Sequence, residues 1–431
     1  MRIALVDPSL FTLPYDAALA AGLQAEGHEV VLHGRRPGPD DGRPDGAPLM
    51  ETFYRLTGAT TVAGMPKTLR LALKGLDHIV SMAALVRQLA RARPDVIHFQ
   101  WLPLPLVDRR FLTRLRRIAP LVLTVHDTDP FNGDPAAGLQ RRGMASSYAA
   151  FDRLITHTLQ GRTRLLRHGI AEDRLTVLPH GLLGTPANGE ARCEAATPEG
   201  PLTFLLFGKI KPYKGLDLLI EAFAQLPPAL ASRARLRVVG KPYMDLASIE
   251  VRIAQLGLGE RIAIEPGFVR DEDVPLLFDA GTVVVFPYRE IEASGVLSLA
   301  IAHGRPILAS RLGAFAETVT DGVHGLLVEP GDIAALAEAM SRFLGDRAFA
   351  AACARAVGRL SDSVPDWQEI ARLTVAVYRA AGARDRAASA PATAATECVR
   401  RPSPILAVPA HGTGYGPRSG DETKSAANPA E

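Results

Sequence analysis

The sequence predicts an α/β protein of two domains, each a parallel sheet flanked by helices, followed by a structureless tail. Three observations predict this. Short β-branched and aromatic runs alternate with longer segments of helical apolar spacing, the pattern of strand–helix–strand units. The strand runs stop at Gly, Pro or polar residues, as they do where a parallel sheet hands over to its ligand loops. A chain of 431 residues also exceeds one ordinary core and suits two.

The first domain is assigned to residues 1–183. Residues 2–6 read as the opening strand, residues 8–15 as a loop, residues 17–25 as an Ala/Leu-rich helix closed by Gly27, and residues 29–32 as the second strand. Residues 34–48 are rich in Gly, Pro, Asp and Arg and form a loop. Residues 66–93 are helical and basic, carrying Lys67, Arg70, Lys74, Arg87, Arg91 and Arg93. A strand at residues 95–99 has His98 near its end, and a basic helix covers residues 109–117. The strand at residues 121–125 runs into His126-Asp127-Thr128-Asp129, which places His126 at a carboxyl end, where parallel sheets bind ligands. Further strands at residues 154–158 and 175–178 flank a helix ending at Gly169, and the second leads into Pro179-His180-Gly181. Residues 184–201 lack periodicity and read as a linker.

The second domain is assigned to residues 202–365. Its first strand, residues 203–207, breaks at Gly208, and a helix begins near Lys214-Gly215. Leu216, Leu219, Ile220 and Phe223 recur at helical spacing and face the core. Lys209 and Lys214 therefore bracket a strand-to-helix turn, a setting that suits a diphosphate and equally suits two solvated loop lysines. The P-loop and dinucleotide glycine patterns are both absent. A buried strand at residues 282–286 ends at Pro287, a charged loop follows, and Ser294-Gly295-Val296 opens an apolar helix to His303. Helix N-termini leave N–H groups unpaired and attract anions. Glu292 stands just before that end, placed to accept hydrogen bonds from sugar hydroxyls. The plainer reading makes Ser294 an N-cap and leaves Glu292 solvated. Asp271, Glu272 and Asp273 suit a helix start, as does Asp332.

Composition excludes several classes. Lys plus Arg number 49 against 46 Asp plus Glu, a net +3 that argues no nucleic-acid partner. Cys193, Cys353 and Cys398 are widely spaced and form no metal or disulfide pattern, so a reducing compartment is expected. No apolar run approaches the roughly 20 residues of a spanning helix. A cytoplasmic protein is expected, with a peripheral contact at the inner face of the cell membrane through the basic first domain; a solvated Arg-rich surface is the competing reading.

Taken together, the two lysine- and serine-bearing stretches resemble the sugar-nucleotide domain of family 4 glycosyltransferases. The family pattern G-R-x-x-x-x-K-G stands here as Gly208, Lys209, Lys214 and Gly215, with Lys in place of Arg, and E-x-[FS]-G stands as Glu292-Ala293-Ser294-Gly295. Downstream, Gly304, Pro306, Ile307, Leu308, Ala309, Ser310, Gly313, Glu317, Val319, Asp321-Gly322, Gly325, Leu327, Val328, Pro330 and Asp332 follow the family order. The resemblance spans roughly residues 202–332. It departs at Ala300, where the family has a second Glu that binds ribose, and at residues 8–15, which lack the family's Gly-Gly pair.

The resemblance implies the GT-B architecture: two Rossmann-like domains facing across a cleft, a last helix (residues 366–382) crossing back onto the first, then a disordered tail from 383 to 431. It implies a sugar moved from a nucleotide-diphosphate sugar to a hydroxyl of a glycan or lipid-linked acceptor, with no metal and no cofactor. The diphosphate falls to Gly208, Lys209, Lys214, Ser294, Gly295 and Val296, the base to the backbone of Gly267, Phe268 and Val269, and the sugar to Glu292 and His126. Lys214 stabilises the leaving group, and retention needs no dedicated base. On the acceptor side stand Tyr15, Asp16 and His98; if the reaction inverts, a carboxylate or His of the first domain must serve as base, Asp16 being one candidate. A GT-B epimerase, a silent partner subunit (motivated by Ala300) and a nicotinamide oxidoreductase are the alternatives.

Overall fold

The computed structural model describes residues 1–38, 41, 47–58, 65–128, 137–184 and 200–388. In the first half run β1 (Arg2–Val6), α1 (Leu13–Ala25), β2 (Glu29–Arg35), β3 (Leu49–Phe53), α2 (Lys67–Ala92), β4 (Val96–Phe99), α3 (Pro105–Arg116), β5 (Leu121–Val125), α4 (Ala137–Tyr148), β6 (Arg153–Thr156), α5 (Leu159–Arg167) and β7 (Leu175–Val177). The second half has β8 (Leu202–Phe207), α6 (Leu216–Ala224), β9 (Ala234–Gly240), α7 (Ala247–Gln255), β10 (Ile262–Pro266), β11 (Thr282–Phe286), α8 (Gly295–Ala302), β12 (Ile307–Ser310), α9 (Gly313–Thr318), β13 (Gly325–Val328), α10 (Ile333–Gly345), α11 (Arg347–Ser363) and α12 (Trp367–Ala388).

Two sheets result, ordered β3-β2-β1-β4-β5-β6-β7 and β10-β9-β8-β11-β12-β13. Their pairings are parallel. In each sheet the chain starts in the middle, works outward, then returns to the other side of its first strand. The strand order reverses between β1 and β4 in one sheet and between β8 and β11 in the other, the crevices where such sheets bind ligands. β4, β5, β11 and β12 are buried along their whole length. Helices on both faces explain why their sequences are continuous apolar runs rather than alternating ones.

The last helix belongs to the core of the first half. Ile370, Ala371, Val375, Tyr378 and Ala381 pack into one buried cluster with Ile3, Leu5, Leu19 and Leu23. A Cβ on Gly22 of α1 would lie 2.2 Å from the Trp367 carbonyl oxygen, so the two helices meet backbone to backbone. Tyr378 also reaches His98 across 280 residues of sequence, hydroxyl to Nδ1 at 2.7 Å, while Thr124 Oγ1 lies 2.7 Å from Nε2.

Several boundaries differ from expectation. α1 starts at Leu13, not residue 17, because Pro14 is preorganised for a first turn and Asp16 suits the helix dipole. Residues 271–273 form a turn leading to a single 3₁₀ turn, Val274–Leu277, rather than an α-helix. α12 continues to Ala388, so the first residues assigned to the tail are helical. Asp129, residues 185–199 of the assigned linker, Cys193, Cys398 and the tail from 389 lie outside the described residues. Among the described residues no helix is long and apolar enough to cross a membrane.

Candidate active site

The loops beyond β8 and β11 meet at Lys214. After β8 the chain passes Gly208 (φ 97°), forms a 3₁₀ turn over Pro212–Lys214, and enters α6 through Gly215 at φ 68°. A Cβ on Gly215 would stand 2.0 Å from the Pro287 carbonyl oxygen at the end of β11, so this turn is closed against its neighbour strand. The closure buries Lys214. Its Nζ donates to the Phe207 carbonyl at 3.1 Å and sits 5.3 Å from the centre of the Tyr288 ring. Burial first, then the charges of Lys211 and Lys209, bring its pKa down to about 7. A Cβ on Gly208 would lie 3.2 Å from both Lys214 Nζ and Val296 Cγ2, so the ammonium faces the first turn of α8. The predicted set Gly208, Lys214, Gly295 and Val296 is thus one cluster.

Lys209 points toward the first half, its Nζ 4.1 Å from the centre of the Phe11 ring, which stacks on Trp101. Burial and Lys211 lower its pKa against the pull of Asp7 and Asp41. Concentrated lysines deprived of water, beside a helix N-terminus, suit an anion. Ser294 caps α8: its Oγ accepts from the Leu297 N–H at 3.4 Å. Gly267, Phe268 and Val269 leave the end of β10, two strands out from β8. Gly267 N–H donates to the Gly240 carbonyl, Phe268 is exposed and Val269 packs on the core. Ala300 is fully buried in the same apolar cluster as Leu205, Phe278 and Leu297 and offers no polar atom beyond its backbone.

Glu292 is neither solvated nor open. It is 2% exposed, and its Oε2 accepts from Thr128 N–H at 3.0 Å, from Thr128 Oγ1, and from Arg164 Nη1 at 3.2 Å, all in the first half. Burial raises its pKa, with Thr128 and Arg164 opposing. The plainer reading, a solvated carboxylate, does not hold because the loop after β11 faces the loop after β5.

His126 lies in a stack of rings of which the sequence marks only a part. Tyr15 meets His126 edge-on at 4.8 Å and lies 5.2 Å from His157, His180 and Trp367. His126 Nε2 is 3.1 Å from Gln100 Oε1, and burial followed by the neighbouring imidazoles holds its pKa well below the usual value, so it is neutral. His157 and His180 are absent from the expected site, although each follows the end of a strand, the one signal that marks His126.

Two acceptor-side expectations are corrected. Asp16, far from a loop base, is fully buried in the first turn of α1 against Thr12, and burial and the charge of Asp7 push its pKa well up. His98 is fully buried with both ring nitrogens engaged by Tyr378 and Thr124, a core residue rather than an acceptor contact. Further bonds join the halves. Glu317 accepts from the N–H groups of Leu159 and Gln160 at the start of α5 at 2.7 and 2.8 Å, and Leu183 N–H donates to Ser298 Oγ at 3.0 Å.

Comparison with known proteins agrees with this geometry. Residues 17–182 match the model for "Glycosyltransferase Family 4" and residues 201–346 that for "Glycosyl transferases group 1". A D-inositol 3-phosphate glycosyltransferase of Geodermatophilus obscurus is 33% identical over 331 residues, covering 71% of this chain and 72% of its own. That of Acidothermus cellulolyticus is 30% identical, with 77% of each chain covered. Among solved structures, Anabaena HepE in complex with UDP and glucose superposes with a TM-score of 0.68 at 19% identity, over 88% of this chain and 99% of that one. WaaG, a glycosyltransferase involved in lipopolysaccharide biosynthesis, superposes at 0.62 and 18% identity, over 87% and 99%. These likenesses favour a transferase over an epimerase, a silent partner or an oxidoreductase. With its two parallel sheets and its crossing last helix, the chain belongs to the family 4 glycosyltransferases of GT-B fold.

Proposed function

We propose that this glycosyltransferase moves a hexosyl group from a nucleoside-diphosphate sugar to a hydroxyl of a glycan or lipid-linked acceptor, with retention, and with no metal ion or other cofactor. The observation that carries the reading is Lys214, an ammonium held almost out of water against the N-terminal turn of α8. Lys209, Lys214 and the α8 N–H groups would offset the charge that develops on the leaving diphosphate, the task a metal ion performs elsewhere. In the retaining step the bond from the anomeric carbon to the phosphate oxygen breaks, the acceptor oxygen bonds to the same face, and the acceptor proton passes to the leaving phosphate. The burial of Asp16 in the first turn of α1 supports that route over one with Asp16 as base. Gly267, Phe268 and Val269 at the end of β10 are the proposed base contacts, with His126 and Glu292 beside the sugar. A nucleotide panel tests the proposal. One of UDP, GDP and ADP, with its sugars, should raise the melting temperature, by about 2.7 kcal/mol of stabilisation at a hundredfold excess over Kd. The sugar of that nucleotide should then appear on an acceptor; absence of any shift overturns the donor site.

A lipid-linked acceptor is favoured by the start of α2. Leu69, Leu71, Leu76, Ile79 and Val80 are all exposed there, next to Arg70 and Lys74. Exposed leucines flanked by basic residues match an anionic bilayer surface and support a working position at the inner face of the cell membrane. The wild type should pellet with anionic vesicles, and the double variant Leu71→Asp, Leu76→Asp should stay in the supernatant. Equal pelleting of the two would remove the membrane contact. The names of the relatives at 30–34% identity favour a second acceptor reading, an inositol phosphate, which belongs in the same transfer assay.

A further inference from the structure

Glu292 is asymmetric in a way that the donor-site reading leaves unexplained. One oxygen is saturated: Oε2 receives the Thr128 N–H, the Thr128 hydroxyl and the Arg164 guanidinium. The other, Oε1, is buried and has no hydrogen-bond partner. An unpartnered carboxylate oxygen out of water is costly, and such an oxygen calls for a donor from a ligand or a water. The groups that hold Glu292 all come from the other half of the molecule, at sequence separations of 164 and 128 residues. The orphan oxygen also has company. Thr156 Oγ1 is likewise buried and unpartnered. Both oxygens crowd the backbone of α5: a Cβ built on Gly161 would lie 2.3 Å from Glu292 Oε1 and 2.4 Å from Thr156 Oγ1. Gly161 therefore leaves room for the carboxylate to lie flat against the helix.

We propose that Arg164 and Thr128 are positioning residues for the transfer reaction. They pin Glu292 by one oxygen when the halves meet, and so present Oε1 to a hydroxyl of the transferred sugar. Recognition of the sugar is thereby tied to closure: with the halves apart, Glu292 loses the three donors that orient it. The hydroxyl donates to Oε1, and no bond other than hydrogen bonds changes. The inference rests on the donor-site reading above, and it adds that sugar selectivity is set from the acceptor-side half.

The test compares a nucleoside diphosphate with its sugar conjugate by calorimetric titration, in wild type, Arg164→Ala, Arg164→Lys and Gly161→Ala. Arg164 is partly exposed, so its variants should fold, and the melting temperature of each free variant checks this. Expected is an affinity for the bare diphosphate within about twofold of wild type for both Arg164 variants. The additional affinity contributed by the sugar should fall about 10- to 100-fold in Arg164→Ala, the scale of a hydrogen bond to a charged group. Arg164→Lys should recover part of it. Gly161→Ala, whose methyl displaces the carboxylate, should show the same sugar-specific loss. A deoxy-sugar donor lacking the recognised hydroxyl should be discriminated by the wild type and not by Arg164→Ala. Equal losses for diphosphate and conjugate, or no loss for either, overturn the proposal. A wild type that binds no nucleotide overturns the donor site instead.

Discussion

Lys214→Ala is expected to abolish the nucleotide-induced rise in melting temperature and to lower kcat/KM by about 10²–10³-fold, the usual scale for losing one preorganised group at a developing anion. The ammonium donates to a neutral carbonyl in the free protein, so its charge is available to a ligand. The wild type should also reveal this lysine through pH. With a folded pKa of about 7 against an ordinary 10.5, the free protein sheds the proton first as pH rises. A bound diphosphate favours the charged form, so affinity should weaken above about pH 7, and the dependence should vanish in Lys214→Met. Stability moves the opposite way. Below about pH 7 both folded and unfolded chains carry the proton, and the fold bears the full cost of burying it. Between about 7 and 10.5 the unfolded chain binds more protons, so stability rises with pH through that window. Lys214→Met should therefore melt higher than wild type at neutral pH and lose that slope, the gain being on the order of 5 kcal/mol at most. A variant that melts higher yet binds nothing would show the site trading stability for binding; a variant that binds as well as wild type would remove Lys214 from it.

The second large effect belongs to the next residue. Gly215→Ala is expected to destabilise the protein by about 2–4 kcal/mol, from left-handed backbone strain plus collision of the new methyl with the Pro287 carbonyl 2.0 Å away. Gly257→Ala separates the two causes. Gly257 has almost the same φ, 65°, and no atom lies within 4 Å of where its new methyl would stand, so it should lose only about 1 kcal/mol. Urea unfolding of both variants measures the difference. Near-equal losses would mean that Pro287 gives way. In that case nucleotide affinity should still drop in Gly215→Ala, because the end of β11 and the loop to α8 would have moved.

Much of this is legible in the sequence because the signals are local. In the second sheet β8 stops at Gly208 and β11 is a continuous β-branched and aromatic run ended by Pro287, and the periodicity of Leu216, Leu219, Ile220 and Phe223 fixes where α6 begins. That spacing alone puts Lys209 and Lys214 at a turn. The start of α1 is legible too, in Pro14 followed by Asp16, a signal that outranks the apolar run beginning at Ala17. The seam is not legible. Nothing near Glu292 in sequence announces Thr128 and Arg164, which lie 164 and 128 residues away. The ring stack of Tyr15, His126, His157, His180 and Trp367 likewise gathers side chains from a first-turn helix, three strand ends and the last helix. Local pattern can place a residue at a strand end but not choose its partner across the molecule.

The way α12 completes the first half has a consequence for how the protein is made. Leu5, Leu19 and Leu23 emerge from the ribosome early, yet the Ile370, Val375 and Ala381 side chains that cover them come more than 300 residues later. His98 waits nearly as long for Tyr378. The second half, whose sheet spans Leu202 to Val328, has its strands in hand well before then. Synthesis order and folding order therefore diverge: the half translated first is finished last, and until Trp367 and the helix behind it are released, its oldest apolar surface remains uncovered to chaperones and to other nascent chains.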